Sequence, residues 1–201
     1  MSLLVPPLKA LVVDTETTGL PFYRADPKDD KQPWPVQIGA VLMDLAHDKF
    51  SHTMNTLVVP PEGAFFHPKA VATHGLSEEM VRANGRDPVE VMLELRDMAR
   101  EADVVAAYNL KFDEFIIRSC SERVHPDFEV DPVLGEADPH RHLCIMHQTS
   151  AHLGLRQWIK LEKAYEHFKG VKLEDAHDAL ADTVAAAVVF KEIVVRTLAN
   201  A

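Results

Sequence analysis

The apolar, β-branched run at residues 8–14, LKALVVD, constrains the fold more than any other part of the chain. It reads as a buried first strand, and it ends in Asp14-Thr15-Glu16. Residues two apart on a strand point to one face, so Asp14 and Glu16 project together while Thr15 turns away. Two acids side by side at a strand end are unfavourable unless a cation compensates them. Mg²⁺ prefers oxygen ligands and is satisfied by one or two carboxylates plus a substrate phosphate. Alone, so short a motif carries little weight, because most such pairs are ordinary turn acids.

Residues 36–45 and 53–59 read as two further strands that continue a meander. Between the first two strands lies a polar loop, residues 22–35, framed by Pro21, Pro27, Pro33 and Pro35. A loop of this length is either functional or a plain surface excursion. Short helical material follows Ser77, a good N-cap. Residues 88–100 have apolar side chains at helical spacing, with Pro88 in the tolerated first turn. Residues 103–108 form a short strand, and residues 109–120 a helix opened by Asn109 as its cap. Residues 125–142, rich in Pro and Asp, read as loop; 157–168 and 178–198 are two more helices. This order predicts an α/β fold, a mixed sheet covered by helices.

With 201 residues, 47% of them hydrophobic, the chain suits one globular domain that needs neither disulfides nor a structural metal. Cys120 and Cys144 form no CxxC pair, so a reduced, cytoplasmic chain is expected. No apolar run approaches a membrane span, and the N-terminus lacks a basic leader. The net charge of −10 argues against tight binding to duplex backbone. It is compatible with a nuclease that takes a few nucleotides at an end, where metal ions neutralise phosphate.

Two further motifs complete the acidic set. Asn109-Leu-Lys-Phe-Asp113 places an acid in a first helical turn, where the helix dipole favours it. His177 and Asp182 would face apart on one continuous helix. They converge if His177 precedes the helix, Asp178 caps it and Asp182 sits in its first turn. Four carboxylates and an imidazole, each at the edge of an element, are what a two-metal phosphodiesterase requires. Two cations roughly 3.5–4 Å apart brace the attacking and leaving oxygens. A neutral histidine can take the proton of the attacking water.

These motifs resemble the DEDDh exonucleases, the DnaQ-like family that includes the proofreading epsilon subunit of bacterial DNA polymerase III. VVDTETTGL, PVQIGAVL, THGLSEEMV, NLKFDEF and HDALADT follow the family's order over most of the chain. The resemblance implies an RNase H-like fold with a mixed five-stranded sheet flanked by helices, residues 1–201 forming a single exonuclease domain. It implies Asp14, Glu16 and Asp182 as ligands of one Mg²⁺ or Mn²⁺ ion, with Asp14 bridging to a second and Asp113 acting largely through water. His177 matches the family's general base, and Thr17 and His74 would hold the 3′-terminal nucleotide. The implied reaction releases 5′-nucleotides from a 3′ end, with single-stranded DNA the leading substrate. An RNA-directed 3′ exonuclease of the RNase T or oligoribonuclease kind, or a catalytically weak interaction module, are the alternatives.

Three departures from the family pattern stand out. Tyr108-Asn109 replaces a common His-Asn, and the insertion at residues 22–35 is longer than the usual connection. The sequence stops at Ala201, without the tail by which epsilon-type subunits grip a polymerase, so a polymerase partner stays possible but without that tail to bind it.

Overall fold

The computed structural model describes residues 8–135, 140–174 and 176–199. Strands β1 (Lys9–Thr17), β2 (Pro35–Asp44) and β3 (Lys49–Leu57) form an antiparallel meander. Helices α1 (Pro68–His74), α2 (Glu78–Asn84) and α3 (Pro88–Glu101) lead to β4 (Val104–Ala107) and α4 (Leu110–Val124). A short α5 (Asp127–Val130) precedes β5 (His142–Cys144), and α6 (Ile145–His152), α7 (Leu161–Lys169) and α8 (Ala179–Ala199) complete the order. The five-stranded sheet runs β3-β2-β1-β4-β5, with β1 antiparallel to β2 and parallel to β4. This is the mixed, helix-flanked sheet that the motifs imply.

β1 lies at the centre, and its period-2 alternation divides the interior. Leu11 and Val13 pack with Ile38, Val91, Leu95 and Ile117 on the face covered by α3 and α4. Ala10 and Val12 pack with Val41, Ala186, Val189 and Phe190 on the face covered by α8. A strand buried on both faces reads as a continuous apolar run, which is what residues 10–13 are.

Several boundaries differ from expectation. β3 starts at Lys49, four residues early, because its first half is polar and exposed on the sheet edge, where pattern is weak. The stretch read as loop contains α5 and the start of β5, both too short to show periodicity. Residues 136–139 of that stretch lie outside the described residues. α6 was unforeseen, and α7 begins at Leu161 rather than at residue 157. Ser77 caps α2 by accepting from the Met80 N–H. Asn109, in contrast, makes no side-chain cap; its backbone oxygen accepts from the Phe112 and Asp113 N–H groups.

The loop at residues 22–35 is docked onto α4. Gln32, 2% exposed, receives the Phe22 N–H on Oε1 and donates through Nε2 to the Phe22 and Asp26 carbonyls. A buried amide is tolerated only when so satisfied. Arg123 donates to the Gln32 and Pro33 carbonyls and stacks 3.6 Å from the Trp34 ring centre. Ser119 donates to the Pro27 carbonyl. Among the described residues no helix is long and apolar enough to cross a membrane.

Candidate active site

The alternation of β1 carries past its apolar part and sorts the acids. Asp14 and Glu16 continue the face of Ala10 and Val12, toward α8. Thr15 continues the other face, toward α4, and it has a partner there. Its N–H and its hydroxyl both donate to Asp113 Oδ1, at 3.0 and 2.9 Å. Asp113, 3% exposed, is thereby fixed beside the strand end with one oxygen already committed.

Asp182 arrives from α8. Asp178 precedes the helix and its Oδ1 accepts the Leu180 and Ala181 N–H groups, an N-cap as the spacing predicts. Its Oδ2 accepts from Gln37 Nε2, while Gln37 Oε1 accepts the Ala179 N–H, so β2 grips the helix start directly. Gly39, paired across the sheet with Asp14, makes the approach possible. A Cβ there would lie 2.2 Å from the Ala179 carbonyl oxygen. Gln37 and Gly39 were not foreseen as positioning residues. The signal was present: a lone amide and a glycine inside an otherwise apolar strand mark close backbone approach.

His177 precedes the helix with φ 73°, in the left-handed region that non-glycine residues seldom occupy. Its N–H donates to Asp182 Oδ2 at 3.1 Å. One ligand atom each from Glu16, His177 and Asp182 lie within 4.8 Å of one another. Asp14 and Asp113 stand outside this tight trio, yet both sit close enough to feel its charge. Such a non-glycine outlier is typical of functional sites, where surrounding structure holds the strain.

The electrostatics are those of crowded carboxylates partly withdrawn from water. Burial, then the charges of Asp113, Asp182, Glu16 and Asp178, hold Asp14 well above the usual carboxylate range. Burial, then the charges of Asp182, Asp113 and Asp178, push Glu16 up to about 8. Burial pushes Asp113 up to about 7, although both Thr15 hydrogen bonds oppose it. Asp182 is also raised, first by burial, with His177 pulling the other way. Carboxylates this crowded are stable only with shared protons or a bound cation. Oxygen donors plus one imidazole nitrogen suit a hard divalent ion.

Glu16 also lines a groove of about 900 Å³. Its floor is Thr17-Thr18-Gly19, and both walls hydrogen-bond to Thr18. The Trp34 N–H donates to Thr18 Oγ1 and the Thr18 N–H to the Trp34 carbonyl, while the His67 N–H donates to the Thr18 carbonyl. Thr17 and His74 both line this groove. The His74 ring accepts the Leu76 N–H on Nδ1, so Nε2 carries the hydrogen and donates to the Thr17 carbonyl. With both nitrogens engaged, only its ring surface is free. Tyr108 is buried, and its hydroxyl donates to the Ile159 carbonyl at 2.8 Å, tying down the segment before α7.

Residues 11–190 match the exonuclease family (RNase_T). No curated relative matches the sequence. Among solved structures, the fold is similar to zinc-bound E. coli Exonuclease I in complex with single-stranded DNA, at 20% identity and a TM-score of 0.74, over 97% of this chain and 42% of that one. It is similar to E. coli Exonuclease I with a dT13 oligonucleotide, at 18% identity and a TM-score of 0.71, over 94% and 42%. A moderately thermophilic Exonuclease I from Methylocaldum szegediense gives 20% identity and a TM-score of 0.72, over 94% and 41%. The chain thus spans less than half the length of these proteins. The match over most of the sequence, joined to the acids at the end of β1 and the start of α8, decides the family. This chain belongs to the exonuclease family, and its acidic motifs are those of the DEDD-type 3′→5′ exonucleases.

Proposed function

We propose that this chain removes 5′-nucleotides one at a time from the 3′ end of single-stranded DNA, using two Mg²⁺ or Mn²⁺ ions. Asp14, Glu16, Asp113 and Asp182 hold the ions, and His177 is the general base. The observation that carries this reading is the convergence of Glu16, His177 and Asp182 within 4.8 Å beside a groove. Asp14, half-buried on the same strand face as Glu16, would add a further carboxylate to the ions. Asp113, with Oδ1 committed to Thr15, offers one oxygen and suits a contact made through water.

When bound, such ions acidify a water and stabilise charge on the scissile phosphate. The protein's own groups do the rest. The cap at Asp178 and the grip of Gln37 hold Asp182 toward β1. His177 accepts the proton from the attacking water, its backbone anchored to Asp182. Thr17 and the His74 ring surface bound the space for the terminal nucleotide. A net charge of −10 disfavours long duplex contacts, and the single-stranded DNA complexes of similar structures support the choice of substrate.

The test uses 5′-labelled single strands with Mg²⁺. A stepwise ladder abolished by EDTA and by Asp14→Ala is expected, with DNA cut faster than matched RNA. A ladder insensitive to either treatment contradicts the mechanism, and faster cutting of RNA moves the substrate assignment to RNA.

A further inference from the structure

The insertion at residues 22–35 has no part in the chemistry just described, yet it forms one wall of the groove. We infer that the insertion and the segment before α1 form a fixed, two-walled clamp for a few unpaired nucleotides upstream of the cut, with Phe22 and Phe65 as base-stacking surfaces. This inference deepens the nuclease reading and rests on it for the identity of the strand.

Four observations carry it. First, Phe22 and Phe65 are 58% and 73% exposed, both line the groove, and neither serves the core. Large exposed aromatic surfaces that line one cavity are the pattern of a stacking platform, because every base offers a ring face. Second, the groove offers two cations in a chain whose net charge is negative. Lys31 on the insertion and Lys69 on α1 line it and make no ion pair among the described residues, against Asp30 and Glu16. Third, the groove is continuous with the acid cluster through Glu16, which belongs to both. A strand whose terminal nucleotide meets Thr17 and His74 therefore has its next bases within reach of the Phe22 and Phe65 walls of the same groove.

Fourth, the walls are fixed. The exit of the insertion is held by Thr18, by buried Gln32 and by Arg123 on α4; the facing segment is held by Thr18 through His67. Both walls are thus hydrogen-bonded to one floor residue, Thr18. Preformed walls spare the ordering cost that a mobile loop would meet on binding. A slot flanked by aromatic rings on separate walls admits splayed bases more readily than stacked base pairs.

Fluorescence anisotropy with labelled dT oligomers of increasing length, in Ca²⁺ to suppress turnover, tests the clamp. Wild-type affinity should rise with length until the groove is filled and then level off. A blunt hairpin of equal length should bind more weakly than the single strand. Phe22→Ala and Phe65→Ala should each weaken binding of dT6 about tenfold, in line with the loss of one base stack. Phe22→Trp should retain it, and Phe50→Ala on β3 should leave it unchanged. Melting temperatures verify that each variant folds, as expected for exposed side chains. Unchanged dT6 affinity in both folded alanine variants, or equal affinity for the blunt hairpin, overturns the clamp. If wild-type protein cuts strands while those variants bind normally, the clamp alone fails. If it binds strands through Phe22 and Phe65 but never cuts them, the catalytic reading alone fails.

Discussion

The two sides of the site are built on opposite principles. At the end of β1, carboxylates crowd together until burial and mutual repulsion hold Asp14, Glu16, Asp113 and Asp182 above their ordinary range. A few residues further on, at Thr17 and Thr18, the groove is quiet: backbone groups are paired, Gln32 is satisfied, and the walls are tied to the floor. The contrast teaches where free energy is held in reserve. The acid end gains when a cation arrives, whereas the groove is already at rest and gains only from what it binds. Removing a group from the acid end should therefore relax the fold and ruin the chemistry. Removing one from the groove should weaken binding and spare the chemistry.

The largest expected effect is on turnover. Asp182→Asn should slow cleavage about 10³-fold, matching the several kcal/mol a bound metal contributes to a transition state. The same change should raise the melting temperature of the metal-free protein, because it deletes a repelled charge and keeps its volume. A variant that loses activity and stability together would show that Asp182 is structural.

Gly39→Ala should come next. The added Cβ meets the backbone of Ala179, which cannot step aside as a flexible side chain does. Chemical denaturation should show a loss of about 2–3 kcal/mol, the usual cost of overpacking, with activity falling as α8 is pushed away. A stable, active variant would mean that the close approach of α8 is not required.

Thr15→Val should leave the fold intact, since the two side chains have similar shape, but remove the hydroxyl that holds Asp113. A fall in kcat of about 10–100-fold is expected for losing a group that orients a metal ligand. An unchanged kcat would leave Asp113 positioned by the Thr15 N–H alone.

A last effect concerns stability and pH. Glu16 is raised from 4.5 to about 8 in the folded chain, so the folded state holds its proton where the unfolded state has lost it. Metal-free protein should therefore lose stability as pH rises from about 4.5 to about 8. Mg²⁺ should flatten the upper part of that slope, and Glu16→Gln should reduce it. Thermal melts in EDTA and in Mg²⁺ across that range check both statements. A slope unaffected by Mg²⁺ would place its origin outside the acid cluster.

Much of this was legible in the sequence, and the reason is local. The pairing of Asp14 with Glu16 follows from strand alternation, and the cap at Asp178 follows from a five-residue spacing that no continuous helix could use. Residues 10–13 are apolar because both faces are buried, so the central strand announced itself. What stayed hidden depended on contacts distant in the chain. Thr15 reads as turning away from the acids, and only the packing of α4 across 98 residues shows it reaching Asp113. Gln37 meets Asp178 across 141 residues, and β5, three residues at a sheet edge, is too short for any pattern to reveal. Nor could the sequence tell a surface excursion from a docked wall at residues 22–35, because that difference lies in Ser119 and Arg123 of α4.

Calorimetric titration of Mg²⁺ into the protein at neutral pH, repeated in buffers of different ionisation enthalpy, tests the central claim most directly. Because burial and crowding push Glu16 up to about 8, it holds a proton near neutral pH that cation binding must expel. Saturable binding with a heat that varies with the buffer, both lost in Asp182→Asn, is the predicted result. Absence of binding at millimolar Mg²⁺, or a heat independent of buffer, would contradict a metal-dependent site built from these acids.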